Sequence, residues 1–170
     1  MTPVGILVAA FASALAGAQA TTPDHRADIK RAVFELCPKI YAGEVGLTDP
    51  AQLSEIGYTA TAPRKVANGT VPRAEMGEGA AKIVLAGQAG TEPSCTIWFG
   101  GSDTNEQLGY MLTDASASGF SISDPMSLGD GTMLLKAVRK QGAYKTMVVI
   151  VGDAGGEFGS NPAATVILMK

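Results

Sequence analysis

The sequence predicts an α+β fold: a single antiparallel sheet of five to seven strands with helices packed on one face. Helical spacing of apolar residues is found near the start of the chain and once in its middle. Short β-branched and aromatic runs between glycines and prolines occupy the rest. The resulting order lacks the regular strand-helix alternation of a parallel α/β fold, and this favours the α+β class.

The first part of the chain predicts a cleaved signal peptide, residues 1–20, followed by a single globular domain, residues 21–170. An uncharged apolar run, Val4 to Leu15, ends in the small residues Ala18-Gln19-Ala20. The run is too short for a transmembrane helix, which needs about 20 apolar residues. Because residue 18 is not the cysteine that a lipoprotein would acylate there, we expect a periplasmic or secreted protein without a stable membrane anchor after cleavage.

Two helices are predicted at the start of the mature domain. The apolar face of the first recurs every three or four positions, at Ile29, Val33, Leu36, Cys37 and Ile40. We expect this helix to bend or end near Cys37, because Pro38 disfavours a helical backbone in the residue before it. The second helix is short, with Asp49 as its cap, Gln52 completing a capping box, and Gly57 as its end.

The remaining elements are strands and one further helix. Strands are predicted at 58–62, 81–87, 95–99, 120–123, 132–139, 145–151 and 164–169. The proline-containing stretch 63–72 predicts an exposed loop. The third helix, from about 104 to 118, is signalled by Asp103 as cap, Glu106 three residues later, and Gly119 at its end.

The two cysteines, Cys37 and Cys95, are predicted to form a disulfide. Cys37 lies on the apolar face of the first helix, and Cys95 shares a strand face with Ile97 and Phe99. An exported protein meets an oxidising compartment, where such a pair is oxidised. The bond would hold the first helix on the sheet, whereas the alternative is two buried thiols packed as small apolar groups.

Trp98 is predicted as a possible binding surface. Strand alternation places its indole on the face opposite Cys95, Ile97 and Phe99. An aromatic ring on an uncovered sheet face would be a suitable contact for a partner or ligand. An ordinary half-buried tryptophan is the alternative interpretation.

Motifs for catalysis and for metal or cofactor binding are missing from the sequence. The glycine-rich segment 152–159 matches neither a dinucleotide fingerprint nor a Walker loop, and we interpret it as a connection between strands. A lone histidine, His25, and two cysteines are too few for a typical zinc site or a serine hydrolase triad. Asp103 with Glu106, and Asp153 with Glu157, come closest to the carboxylate pair of a glycosidase.

The overall charge is mildly acidic, with 13 Lys and Arg against 16 Asp and Glu. Binding to nucleic acid depends largely on basic side chains that neutralise phosphates, so this class of partner is not expected. We expect a non-enzymatic envelope protein that binds an unidentified protein or small ligand and uses no cofactor. The alternative is a carboxylate-dependent hydrolase that acts on cell-envelope polymers.

Overall fold

A nine-stranded antiparallel sheet forms the centre of the computed structural model, which describes residues 25–66, 69–78, 82–90, 93–101, 103–152, 158 and 163–169. The helices pack against one face of this sheet, so the predicted α+β class is confirmed. The predicted signal peptide, residues 1–20, lies outside the described residues.

The strands follow the order β1-β2-β3-β4-β9-β8-β7-β5, and β6 also pairs with β7. They are β1 (Thr59–Val66), β2 (Gly69–Met76), β3 (Ile83–Gln88), β4 (Ser94–Gly100), β5 (Ser121–Ile122), β6 (Met126–Gly129), β7 (Thr132–Val138), β8 (Thr146–Gly152) and β9 (Ala163–Met169). Each of these pairings is antiparallel. The last strand, β9, inserts between β4 and β8 and joins the two halves of the sheet.

The predicted strand number of five to seven is wrong, because β2 and β6 were not foreseen. Segment 63–72, predicted as a loop, completes β1 and begins β2. Pro63 is tolerated because it lies at a register shift on an edge strand. The pairing of β2 with β3 begins at Arg73, one residue after Pro72. Pro72 therefore interrupts none of the pairs between β2 and β3.

The helices are α1 (Arg26–Arg31), a π-helical segment (Ala32–Leu36), α2 (Cys37–Ala42), α3 (Pro50–Glu55) and α4 (Thr104–Ala117). Asp49 caps the start of α3 as predicted, because its carboxylate accepts hydrogen bonds from the N–H groups of Ala51 and Gln52. The Gln52 side chain instead accepts from the N–H of Gly46, so the capping box is not formed. Among the described residues, no helix has the length and hydropathy needed to span a membrane.

The first helix does not end at Cys37. The π-helical segment leads directly into α2, which contains Pro38 and continues to Ala42. In the π turn the N–H of Cys37 donates to the carbonyl of Ala32, five residues back. The same spacing would pair the carbonyl of Val33 with residue 38, and proline has no N–H to donate. The hydroxyl of Tyr144 donates to that carbonyl instead, over 2.7 Å.

Tyr144 belongs to an aromatic group that fastens this helix to the sheet. Its ring stacks with those of Tyr41 and Phe120, and the guanidinium carbon of Arg139 lies 4.5 Å from its centre. Burial raises the pKa of Tyr144 to about 12. The phenol therefore stays protonated at neutral pH and remains a donor to the helix.

The predicted disulfide is confirmed, since Cys37 at the start of α2 is bonded to Cys95 in β4. Their α-carbons are 5.7 Å apart, within the range that a disulfide spans. Both residues are fully buried in the main core between the helices and the sheet. A disulfide is typical of a protein that folds in an extracellular or periplasmic compartment.

Candidate functional site

Trp98 lies on the face of the sheet that the described helices leave uncovered. Its neighbours in β4, Cys95, Ile97 and Phe99, belong to the main core beneath the helices. Trp98 belongs to a second, smaller apolar cluster with Val71, Val84, Ala86, Phe158 and Ala163. The alternation expected from the sequence therefore holds, although whether the residue binds anything stays a prediction.

The indole is more covered than an open sheet face would leave it, since only 7 % of Trp98 is exposed. Arg64 in β1 extends over the ring, with its guanidinium carbon 4.3 Å from the ring centroid. Arg64 is paired in register with Val71, a member of the second cluster, so the β1-β2 hairpin brings the guanidinium to this face. Trp98 is thus one wall of a concave site and not a protruding contact.

A trough of about 570 Å³ lies beside Trp98 on this face. Its described apolar lining consists of Val66, Val71, Ala86, Trp98, Ile150 and Ile167. Three hydroxyl side chains, Ser94, Thr96 and Thr165, supply polar groups, and Arg64 supplies a positive charge. Apolar walls with a few polar groups, at a volume between about 300 and 1,000 Å³, are typical of small-molecule sites.

The apolar surface continues from the trough toward the far edge of the sheet. Residues directly opposite one another in successive strands form a row that runs from Trp98 through Thr165, Ile150 and Leu134 to Met126. At about 4.8 Å per strand, this row is about 19 Å long. Met126, at its end, is 59 % exposed. The uncovered face of an antiparallel sheet is ordinarily polar, so a row in which only Thr165 is polar is unusual here.

Positive charge predominates around the trough. Glu75 in β2 forms ion pairs with both Arg73 and Lys82, so its carboxylate is already neutralised. Within the described part of the chain, no carboxylate pairs with Arg64, whose contact is the Trp98 ring. The trough therefore combines apolar walls with a cation that has no counter-charge in those residues.

A second concavity, of about 540 Å³, lies at the C-terminal end of α4 and is lined in part by Ser118, Ser121 and Arg139. Of its two cations, Arg139 and Lys140, the first is already engaged, because Arg139 donates from Nε to the carbonyl of Tyr144 over 3.0 Å. The same guanidinium stacks on the rings of Phe120 and Tyr144. This concavity consequently offers less to a ligand than the Trp98 trough does.

Of the carboxylates considered for catalysis, the described pair, Asp103 and Glu106, lines neither of the two concavities. The Asp103 carboxylate accepts a hydrogen bond from the Gln107 side chain over 3.0 Å, and Glu106 accepts one from the Tyr110 hydroxyl over 2.9 Å. Asp103 occupies the cap position of α4, but its side chain makes no capping hydrogen bond, which corrects the sequence interpretation. Asp153 and Glu157 lie outside the described residues.

The remaining candidates give no metal or nucleophile constellation in the portion of the chain that the structure describes. His25 stands at the start of α1, where its Nδ1 lies 3.7 Å from the carboxylate of Asp28. Within the described ranges, no group of three or more His, Cys, Asp or Glu side chains could hold a metal ion.

Sequence reasoning identified Trp98 but missed Arg64, whose guanidinium lies over the Trp98 ring. Arg64 falls in segment 63–72, which was predicted as a loop because of its two prolines. The alternating apolar positions of β8 and β9 were visible as strand signals. Their convergence with Arg64 on one face, however, depends on sheet order, which the sequence does not reveal.

Comparison with known protein families, curated proteins and solved structures found no match to this chain.

Proposed function

We propose that this protein is an exported, non-enzymatic binding domain that holds a small ligand of the cell envelope in the trough around Trp98. The observation that carries the proposal is the trough itself, with a volume of about 570 Å³ and walls that are mainly apolar. Most small-molecule sites are concave, largely apolar and supplied with a small number of polar groups that orient the ligand.

The lining favours binding over the alternative of a carboxylate-dependent hydrolase. Glycoside cleavage requires two carboxylates that face each other across the substrate. The described residues that line the trough include no Asp or Glu. Asp103 and Glu106 lie on α4, on the helical side of the sheet, and are engaged with neighbouring side chains.

The export part of the proposal rests on two separate features. The apolar run that ends at Ala18-Gln19-Ala20 has the layout of a signal peptide. The bond between Cys37 and Cys95 fits an oxidising compartment outside the cytoplasm. A periplasmic or secreted location would expose the trough to the components of the envelope.

The trough can be tested with N-phenyl-1-naphthylamine, a neutral apolar probe that accepts energy from tryptophan. Trp98 is the only tryptophan in the chain, so energy transfer from this ring reports that the probe is bound, and the variants below locate the bound probe. We expect saturable transfer in the wild type. We also expect at least a tenfold weaker affinity in Ile150→Glu, which places a charge in the apolar wall.

Leu128→Glu is the matched control, because Leu128 is an exposed apolar residue of β6 that does not line the trough. This variant should bind the probe as the wild type does. Absence of saturable energy transfer in the folded wild type, or equal losses in the two variants, would contradict the proposed site.

A further inference from the structure

On the basis of the proposed function, we infer that the ligand is a single-chain anionic amphiphile, such as a long-chain carboxylate, with its head group at Arg64. Its hydrocarbon chain would lie along the apolar row that runs from Trp98 toward Met126. The inference rests on charge, on the position of the Arg64 guanidinium over the Trp98 ring and on the length of the row.

The charge on this face favours an anion although the whole chain has a net charge of −3. Glu75 is balanced by two cations, Arg73 and Lys82. Lys136 also belongs to this face, since it pairs in register with Val148 while its neighbour Leu135 packs on the main core. Beside this ion-paired group, Arg64 and Lys136 add positive charge to the face, and a ligand with a negative head group would offset that charge.

The contact with Trp98 leaves the guanidinium of Arg64 suited to bind a carboxylate. An arginine that stacks on an aromatic ring uses the flat face of its guanidinium. The N–H groups lie in the guanidinium plane, where they can donate two parallel hydrogen bonds to one carboxylate. The guanidinium carbon of Arg64 lies 4.3 Å from the centroid of the Trp98 ring, a distance at which a stacked arrangement would leave the N–H donors available. The hydroxyls of Thr96 and Ser94 line the same trough.

The row of apolar residues suits a hydrocarbon chain. It begins at the indole of Trp98, passes Thr165, Ile150 and Leu134, and reaches Met126 after about 19 Å, and Thr165 is its one polar member. Burial of each methylene group contributes about 0.8 kcal/mol, so binding should strengthen with chain length. The volume of about 570 Å³ is that of a site for one small molecule, which favours a free amphiphile over a membrane surface.

The test compares three probes with the same twelve-carbon chain: dodecanoate, 1-dodecanol and dodecyltrimethylammonium, each below its aggregation limit. Affinities are measured by displacement of N-phenyl-1-naphthylamine from the wild-type protein. We expect dodecanoate to bind about tenfold more tightly than dodecanol and the cation to bind most weakly, because only the anion pairs with Arg64.

Arg64→Gln should bring the ratio of the dodecanoate affinity to the dodecanol affinity close to one. Because both affinities are measured on the same variant, this ratio cancels any change that the loss of Arg64 causes in the walls of the trough. Lys65→Gln is the matched control, since it removes an equal charge from the adjacent residue. Strand alternation places the Lys65 side chain on the opposite face of β1, away from the trough. Arg64→Lys should retain part of the preference.

The possible failures are distinguishable. Equal affinities for all three head groups, with the naphthylamine still bound, would overturn the anionic ligand and leave the proposed binding function standing. Equal losses in Arg64→Gln and Lys65→Gln would exclude a specific role for Arg64. Binding to phosphatidylglycerol vesicles but not to free dodecanoate would overturn the inference in favour of a membrane surface. No binding of any probe would contradict both this inference and the proposed function.

Discussion

Tyr144 completes the hydrogen bonding of a helix that lies 111 residues away in the chain. Pro38 lacks the N–H that the π turn would otherwise direct to the carbonyl of Val33. A buried carbonyl without a partner costs free energy comparable to a lost hydrogen bond. Pro38 and the Tyr144 hydroxyl are therefore coupled through the carbonyl of Val33. The effect on stability of a substitution at one residue should depend on which residue is present at the other.

We predict that Tyr144→Phe lowers the free energy of unfolding by about 1 to 3 kcal/mol, because the carbonyl of Val33 loses its donor while the packing of the ring is retained. Urea unfolding at neutral pH measures the change. Tyr110→Phe is the control, since its hydroxyl bonds to Glu106 at an exposed position, and it should change stability by less than about 0.5 kcal/mol.

A double-mutant cycle tests the link to Pro38. In a Pro38→Ala background, residue 38 has an N–H, so removal of the Tyr144 hydroxyl should cost less than it does in the wild type. Strict additivity of the two substitutions would show that the hydroxyl does not substitute for the missing N–H.

At the scale of secondary-structure elements, the disulfide joins α2 to β4 and closes a sequence separation of 58 residues. On the chain-entropy model, a loop of this length stabilises the fold by about 4 kcal/mol. We predict that the Cys37→Ala, Cys95→Ala double variant melts about 10 °C below the wild type, as measured by circular dichroism.

Thiol titration provides the control for the disulfide prediction. The unreduced wild type should show no reactive thiol after unfolding in guanidinium chloride, and two after reduction. Two reactive thiols without prior reduction, or an unchanged melting temperature in the double variant, would contradict a stabilising bond.

The elements themselves show which local signals can be interpreted from sequence. Seven predicted strands correspond to observed strands, because β-branched and aromatic runs between glycines mark them. β2 was missed because Pro72 suggested a loop, although that proline precedes the segment paired with β3. β6 was missed because it spans four residues between Pro125 and Gly131, where turn signals dominate.

The part of the candidate site that depends on a single strand was predictable from the sequence, and the part that depends on sheet order was not. Alternation within β4 was sufficient to place Trp98 opposite Cys95. The contact with Arg64 was not predictable, because it requires a hairpin that was not foreseen and the order of four strands. Ile150 and Ile167 join the site only because the last strand, β9, inserts between β4 and β8.

At the scale of the whole molecule, both edges of the sheet carry features that weaken pairing with another chain. The edge strand β1 contains Pro63 and a register shift. At the other edge, β5 and β6 are short strands separated by a segment that contains Pro125, and β6 has a register shift of its own. Short, irregular edge strands with proline disfavour edge-to-edge association. The arrangement is compatible with the proposal that recognition takes place at the face that carries the trough and not at the edges.

The alkaline limit of stability should depend on the buried phenols. Burial raises the pKa of Tyr41, Tyr58 and Tyr144, the last to about 12. In the unfolded chain these groups lose their protons near pH 10, whereas the folded protein retains them. Above pH 10 the unfolded state consequently binds fewer protons, and the free energy of unfolding must fall as the pH rises.

We predict that the contribution of the protonated Tyr144 to the free energy of unfolding is fully present below pH 10. By pH 12, Tyr144 alone should lower the free energy of unfolding by an amount on the order of 2 kcal/mol. Urea unfolding at a series of pH values between 8 and 12 measures the loss. Tyr144→Phe should be less stable at pH 8 but should lose less of its remaining stability above pH 10. Parallel pH profiles for the variant and the wild type would show that Tyr144 does not retain its proton in the folded state.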